Sequence, residues 1–311
     1  MSKVPLAPAA AARRLRLDVG HRLDGLMQGD HPGRQPGPGL EPAEARLYAP
    51  GDDVRRIDWA ATARTGQTHL REGVADRELE TTLVVDLSAS MSFGTVRCEK
   101  RDLAVAVAAA VTHLSSGAGD RLAALVLTSD GARRVPPRSG RDAGLALLHL
   151  LLTIPRQDGP GPDLAAALAA LSARPARRGL VVIVTDLVDT GGRADAPGWA
   201  RPLRLATQRH DVVVVEVLDP RELTLPPVGA LRLVDPESGR QLEVHTTPAL
   251  RQRYAAAAAA RRAGHASVVR RTGAGHLVLR TDRDWLPDLA RFLSTRRRLN
   301  TAGRPASRGV R

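Results

Sequence analysis

The chain has 311 residues, enough for one large α/β domain with additions or two modest ones, and with aromatics at only 2% its core must rest on Ala, Val and Leu. The net charge of +13 sits mostly at the ends, since residues 1–22 carry +4 and residues 296–311 carry +6, so the body between them is only mildly basic. A single cysteine, Cys98, excludes an internal disulfide, and no run approaches the roughly 18 apolar residues of a membrane span, so a soluble protein of a reducing, cytoplasmic compartment is expected.

In chain order, residues 1–39 read as a flexible basic lead-in, amphipathic or frayed over 1–24 and ending in a Gly/Pro-rich loop at 29–39, and residues 40–80 as a compact, charged, irregular segment. A strand at 83–86 opens an alternation. It continues as helix 99–115, strand 122–128 with a second short strand near 133–135, and helices 143–152 and 163–173. Strand 180–184, helix 199–209 and strand 212–218 complete it. Short, uniformly apolar strands separated by helices predict a doubly wound α/β fold over 81–220, with a mostly parallel sheet covered by helices on both faces. Residues 221–295 are expected as a C-terminal extension: a β-hairpin around Pro236-Glu237-Ser238-Gly239, a long Ala/Arg helix at 248–271, a strand at 276–279 and a helix at 285–296. Residues 296–311 read as a disordered Arg-rich tail. Lys3 and Lys100 are the only lysines, an arginine bias that a genome rich in G and C produces without any function.

The strand at 83–86 ends in Asp86-Leu87-Ser88-Ala89-Ser90, a carboxylate followed by two hydroxyls at every second position. Past the strand tip the backbone curls into a loop, so Asp86, Ser88 and Ser90 can aim oxygens at one spot. Hard oxygens of this kind suit Mg²⁺ or Mn²⁺, which accept few protein ligands and keep several waters. Asp and Ser are also ordinary turn and cap residues, so the five residues alone describe a turn as well. A second strand ends in an acid, Asp186, after Val182-Ile183-Val184-Thr185. In a parallel sheet, ligands collect at the C-terminal strand ends where strand order reverses.

Asp-x-Ser-x-Ser resembles the metal-ion-dependent adhesion site of von Willebrand factor A domains. The resemblance implies Asp86, Ser88, Ser90 and Asp186 as metal ligands, Asp186 often through water, joined by a Thr from a loop such as 159–163. Here that loop reads Gly159-Pro160-Gly161-Pro162-Asp163, with Pro162 in place of the family Thr and no side-chain oxygen to offer. Weaker binding than in a five-residue site, or a site that has lost its metal, is therefore expected. Asp163 reads as the cap of the helix it precedes, with a metal-facing role as the alternative.

The segment at 48–66, from Tyr48-Ala49-Pro50-Gly51-Asp52-Asp53 through Arg55-Arg56-Ile57-Asp58-Trp59 to Gly66, is similar to the signature of the domain-of-unknown-function 58 family. In these bacterial proteins the segment leads into a von Willebrand A-like domain. The resemblance runs on through Arg71-Glu72 and Asp86-Leu87-Ser88-Ala89-Ser90-Met91-Ser92. It reappears at Asp219-Pro220-Arg221-Glu222 and Thr281-Asp282-Arg283-Asp284-Trp285. It marks Asp52, Asp53, Arg55, Arg56, Asp58 and Trp59 as interaction residues. Read without the family, Pro50-Gly51-Asp52-Asp53 is a turn, and the rest is an ion-pair network anchored by an indole ring. The resemblance further implies pairing with a MoxR-type AAA+ ATPase, as an adaptor in chaperone-like assembly or maturation of a complex with another, client protein.

Enzyme signatures are missing: there is no Gly-x-x-x-x-Gly-Lys loop, no Gly-x-Ser-x-Gly turn and no His-Glu-x-x-His helix, and the nine histidines show no metal-ligand spacing. A non-enzymatic protein interaction module is the expectation. Its rivals are a metal-dependent phosphohydrolase or nuclease using Asp86 and Asp186, and nucleic-acid binding through the Arg-rich ends.

Overall fold

The computed structural model describes residues 8–28, 45–49, 54–71, 80–117, 119–172, 178–188 and 196–302. They divide into two compact units, residues 30–78 and the remainder. The chain opens with α1 (Pro8–Gln28) of the larger unit, and then enters the smaller one with β1 (Ala45–Leu47), α2 (Trp59–Thr65) and β2 (His69–Arg71).

In the smaller unit β1 pairs antiparallel with β2, and Ile57 bridges to Leu70. The first turn of α2 leaves its amides without helical partners, and Asp58 supplies the acceptor: the Ala60 and Ala61 N–H groups both donate to its Oδ1 at 3.0 Å. Gly66, at φ +71°, closes the helix in the left-handed conformation. Asp58 is thus a helix cap. The indole expected to anchor this segment does not do so: Trp59 is 71% exposed, while among the described residues of this unit Ala61 and Leu70 are buried. Arg55 is exposed, while Asp52, Asp53 and the side chain of Arg56 lie outside the described residues.

The larger unit is built on a six-stranded sheet. Its elements are β3 (Glu80–Asp86), α3 (Lys100–Leu114), β4 (Arg121–Thr128), β5 (Gly131–Ser139), α4 (Arg141–Thr153), α5 (Leu164–Ser172) and β6 (Leu180–Thr185). There follow α6 (Ala200–Arg209), β7 (Asp211–Leu218), β8 (Ala230–Val234), β9 (Gln241–His245), α7 (Pro248–Thr272), β10 (Gly275–Arg280) and α8 (Leu286–Ala302). Strand order is β10-β7-β6-β3-β4-β5, parallel throughout except for the edge strand β5, while β8 and β9 form a separate hairpin. This is the doubly wound, von Willebrand A-like arrangement. Successive residues of a strand face opposite sides, so Leu83 and Val85 enter one core with Leu103, Leu148 and Val184, and Val84 enters the other with Leu168, Ile183 and Leu203. The chain winds outward from β3 through β4 and β5 and then returns to place β6 on the other side of β3. The tips of β3 and β6 therefore flank the point where strand order reverses.

Three expectations about the ends of the chain are corrected. Over 8–28 the lead-in is not flexible, and of its two readings the amphipathic one holds: α1 packs on α3, α4 and α8, burying Ala12, Val19 and Leu23, a stripe at helical spacing. Close approach is possible because Gly20 lies against the His113 ring, where a Cβ would fall 2.7 Å from Nδ1, and His113 Nε2 in turn meets the Asp24 carboxylate at 3.0 Å. Nor is 221–295 wholly an extension, because β10 joins the main sheet in parallel with β7 and α7 and α8 cover its faces. Helix α8 also continues to Ala302, past residue 296 where a tail was expected; residues 303–311 lie outside the described set.

Candidate metal centre at the strand tips

The register that aligns Val85 with Val126 and Val184 brings the end of β3 beside the end of β6. Asp86 is buried there. Its Oδ1 accepts the Ser88 amide at 3.0 Å, which curls the chain over the strand tip, and its Oδ2 accepts the Thr185 hydroxyl at 2.9 Å. The Ser88 and Ser90 hydroxyls stand 3.2 Å apart, within hydrogen-bond distance of each other. On the neighbouring tip, Asp186 Oδ1 accepts the Val188 amide at 3.0 Å. Between them Leu187 holds φ +58°, the left-handed region, and no other non-glycine residue among those described has a positive φ.

Asp86, Ser88, Ser90 and Thr185 line a cleft of about 400 Å³ whose other wall includes Pro162, Asp163 and Trp199. Asp186 does not line it. Its Oδ2 turns to Lys100 Nζ at 2.8 Å, and the same ammonium reaches Glu222 Oε1 at 2.5 Å. Lys100 is 1% exposed, and a compact ammonium with three donors fits between two buried carboxylates where a planar guanidinium would need more room. Glu222 Oε2 accepts the amide of Asp219, and Asp219 accepts from Thr95, Arg221 and Thr281, so the cleft is braced from behind by β7, the loop before α3 and the end of β10. Asp163 Oδ1 accepts the Ala166 amide at 2.8 Å, capping α5. Pro162 offers the cleft no side-chain oxygen.

The electrostatics follow from one cation shared among several acids. Burial, then the charge of Asp186, pushes Asp86 up to about 6 against its hydrogen bonds. Burial works on Asp186 in the same direction, yet the Lys100 charge and hydrogen bond hold it below the usual carboxylate range. Burial raises Glu222, with Lys100 opposing. Lys100 itself stays protonated despite its burial because Asp186 and Glu222 flank it. Lys100 thus serves Asp186 and Glu222, while Asp86 has hydrogen-bond donors but, among the described residues, no cation paired with it. A divalent cation fits this set: the Asp86 carboxylate and the two serine hydroxyls on the cleft are hard oxygens, and the charge excess among the described residues around them is negative. Among the described residues no three His, Cys, Asp or Glu side chains converge as a metal cluster, which argues against a zinc-type nitrogen and sulfur site.

Sequence reasoning placed Asp86, Ser88, Ser90 and Asp186 near one another and passed over Lys100, Thr185, Glu222 and Glu237. A signal for Lys100 was present: one of only two lysines in a chain with 46 basic residues stands at the start of an apolar helix.

A mostly parallel sheet wound in this order with helices on both faces is a von Willebrand A-like α/β fold. The chain belongs to the family described as "Protein of unknown function DUF58", which it matches over residues 44–264. It is 53% identical over 296 residues to uncharacterized proteins of Mycobacterium bovis and Mycobacterium tuberculosis, an alignment covering 95% of this chain and 92% of theirs. Among solved structures it is similar to an aerotolerance-related membrane protein from Bacteroides fragilis, at 16% identity and TM-score 0.44, covering 72% of this chain and 99% of that one. It is also similar to a von Willebrand factor type A protein from Catenulispora acidiphila, at 17% identity and TM-score 0.36, covering 45% and 33% of the two chains. No helix among the described residues is long and apolar enough to cross a membrane.

Proposed function

We propose that the protein is a non-enzymatic interaction module whose strand-tip cleft is a metal-ion-dependent adhesion site. The observation that carries this reading is the meeting of Asp86, Ser88 and Ser90 on one cleft, with no cation paired with Asp86 among the described residues. Mg²⁺ or Mn²⁺ held by Asp86, Ser88 and Ser90, with Asp186 acting through water or the Ser90 hydroxyl, would offer an open position to an acidic side chain of a partner. Exchange of a bound water for that carboxylate makes the contact strong, reversible and dependent on the metal. Lys100 keeps Asp186 charged and fixed while leaving the front of the cleft clear. The family resemblance supplies the partner class: a MoxR-type AAA+ ATPase, with this cytoplasmic chain as its adaptor to a client in assembly or maturation of a complex.

The test is capture of such an ATPase by the full chain, with and without EDTA, for the wild type and Asp86→Ala. Capture lost in both EDTA and the variant supports the adhesion mechanism. Capture indifferent to both removes it, and turnover of phosphate esters or nucleic acid in Mg²⁺ or Mn²⁺ would overturn the non-enzymatic reading.

A further inference from the structure

Loop 159–163 brings no threonine oxygen to the cleft, yet a carboxylate stands against that loop from elsewhere in the chain. The turn of the β8–β9 hairpin is seated on it. The Gly159 amide donates to the Pro236 carbonyl at 3.3 Å, and the Glu237 carboxylate lies beside Gly161. Glu237 lines the same cleft as Asp86, Ser88 and Ser90. The seat requires a glycine, since a Cβ on Gly161 would fall 2.6 Å from Glu237 Oε1, well inside contact distance. A glutamate at a hairpin tip can ordinarily turn to solvent. Here its carboxylate instead lies against Gly161 and lines the cleft that Asp86 opens into.

We infer that Glu237 is the fifth protein oxygen of the metal centre, standing in for the hydroxyl that Pro162 cannot supply and reaching the cation through a bridging water. This rests on the metal-dependent reading above. A water bridge accords with Mg²⁺ chemistry and with the lack of a tight three-carboxylate cluster among the described residues. The consequence is that the hairpin becomes part of the site, and the cation ties β8–β9 to the loop before α5.

The experiment is a Mn²⁺ titration of the full chain by calorimetry for the wild type, Glu237→Gln and Gly161→Ala. Hydrogen exchange across residues 230–245 is followed in parallel. Gly161→Ala keeps the glutamate and displaces it from its seat, so it answers the question even where Glu237→Gln folds poorly. Both variants are expected to bind Mn²⁺ about tenfold more weakly than the wild type, and Mn²⁺ is expected to slow exchange in the hairpin of the wild type alone. Equal Mn²⁺ affinity in all three proteins would overturn the role of Glu237 while leaving the adhesion site standing. A wild type that binds no Mn²⁺ would overturn both.

Discussion

Asp86 closes β3 and Asp219 follows β7 in the same sheet, and both are buried, yet their carboxyls are driven in opposite directions. Burial alone raises both. Asp219, fully shielded from solvent, accepts from the Thr95 amide at 2.9 Å, the Thr95 hydroxyl at 2.6 Å, the Thr281 hydroxyl at 2.7 Å and the Arg221 amide at 2.9 Å. These donors outweigh its desolvation and hold it below the usual carboxylate range. Asp86 has fewer donors and faces the charge of Asp186. Strand-tip acids in one sheet can therefore be closed struts or open sites, and the balance of donors against like charge decides which.

The largest test of this contrast is Lys100→Met. Removing the ammonium leaves Asp186 and Glu222 buried and unpaired, and chemical denaturation should show a loss of about 3–5 kcal/mol. If stability hardly changes, the brace behind the cleft is not what holds Asp186.

Asp219→Asn comes next, with an expected loss at neutral pH of about 3 kcal/mol from the broken charged hydrogen bonds. Because the folded pKa of Asp219 lies below its unfolded value near 3.8, its stabilisation is complete above that value and is lost as pH falls through the folded pKa. The variant should accordingly show a shallower acid unfolding profile than the wild type.

Asp86→Asn should behave in the opposite sense. With a folded pKa of about 6 against 3.8 unfolded, Asp86 makes the cation-free protein lose stability as pH rises from 3.8 through 6. Thermal melts in EDTA should find Asp86→Asn at least as stable as the wild type at pH 7.5. Saturating Mg²⁺ should reverse the ranking, since ligand at 100 times its dissociation constant stabilises by about 2.7 kcal/mol, and the variant should gain little of this. A wild type as indifferent to Mg²⁺ as the variant would make Asp86 a second strut.

The smallest expected effect is that of Thr281→Val, which removes one donor from Asp219 and keeps the shape of a side chain that is 1% exposed. A loss of about 1.5 kcal/mol, with the Asp219 carboxyl titrating closer to the ordinary value by NMR, would apportion the strut to its donors.

Much of the fold was legible in local sequence. The runs Leu83-Val84-Val85, Val181-Val182-Ile183-Val184 and Val212-Val213-Val214-Val215 are β-branched and apolar without alternation, a pattern that only a strand covered on both faces tolerates. Pro236-Glu237-Ser238-Gly239 is turn chemistry between two alternating segments, and it forms the β8–β9 hairpin. The ends were misread because their signals are weak individually. The apolar stripe of α1 is three small or medium residues among arginines, and the place of β10 in the main sheet depends on pairing with a strand more than sixty residues away.

For the site, residue types and spacing were enough to nominate Asp86, Ser88, Ser90 and Asp186, because a strand tip in a parallel sheet constrains where oxygens can go. The sequence also determined what is missing, since Pro162 has no side-chain oxygen in any fold. Only the tertiary structure decided how charge is shared. Lys100, Glu222 and Glu237 lie far from residues 86–90 along the chain or on other elements, and no local pattern reports that one ammonium serves Asp186 and Glu222. Electrostatic energy depends on distance and burial in space, while hydrophobic periodicity is written along the chain. The elements could therefore be read in order, whereas the sharing of Lys100 between Asp186 and Glu222 could be recognised only after they were packed.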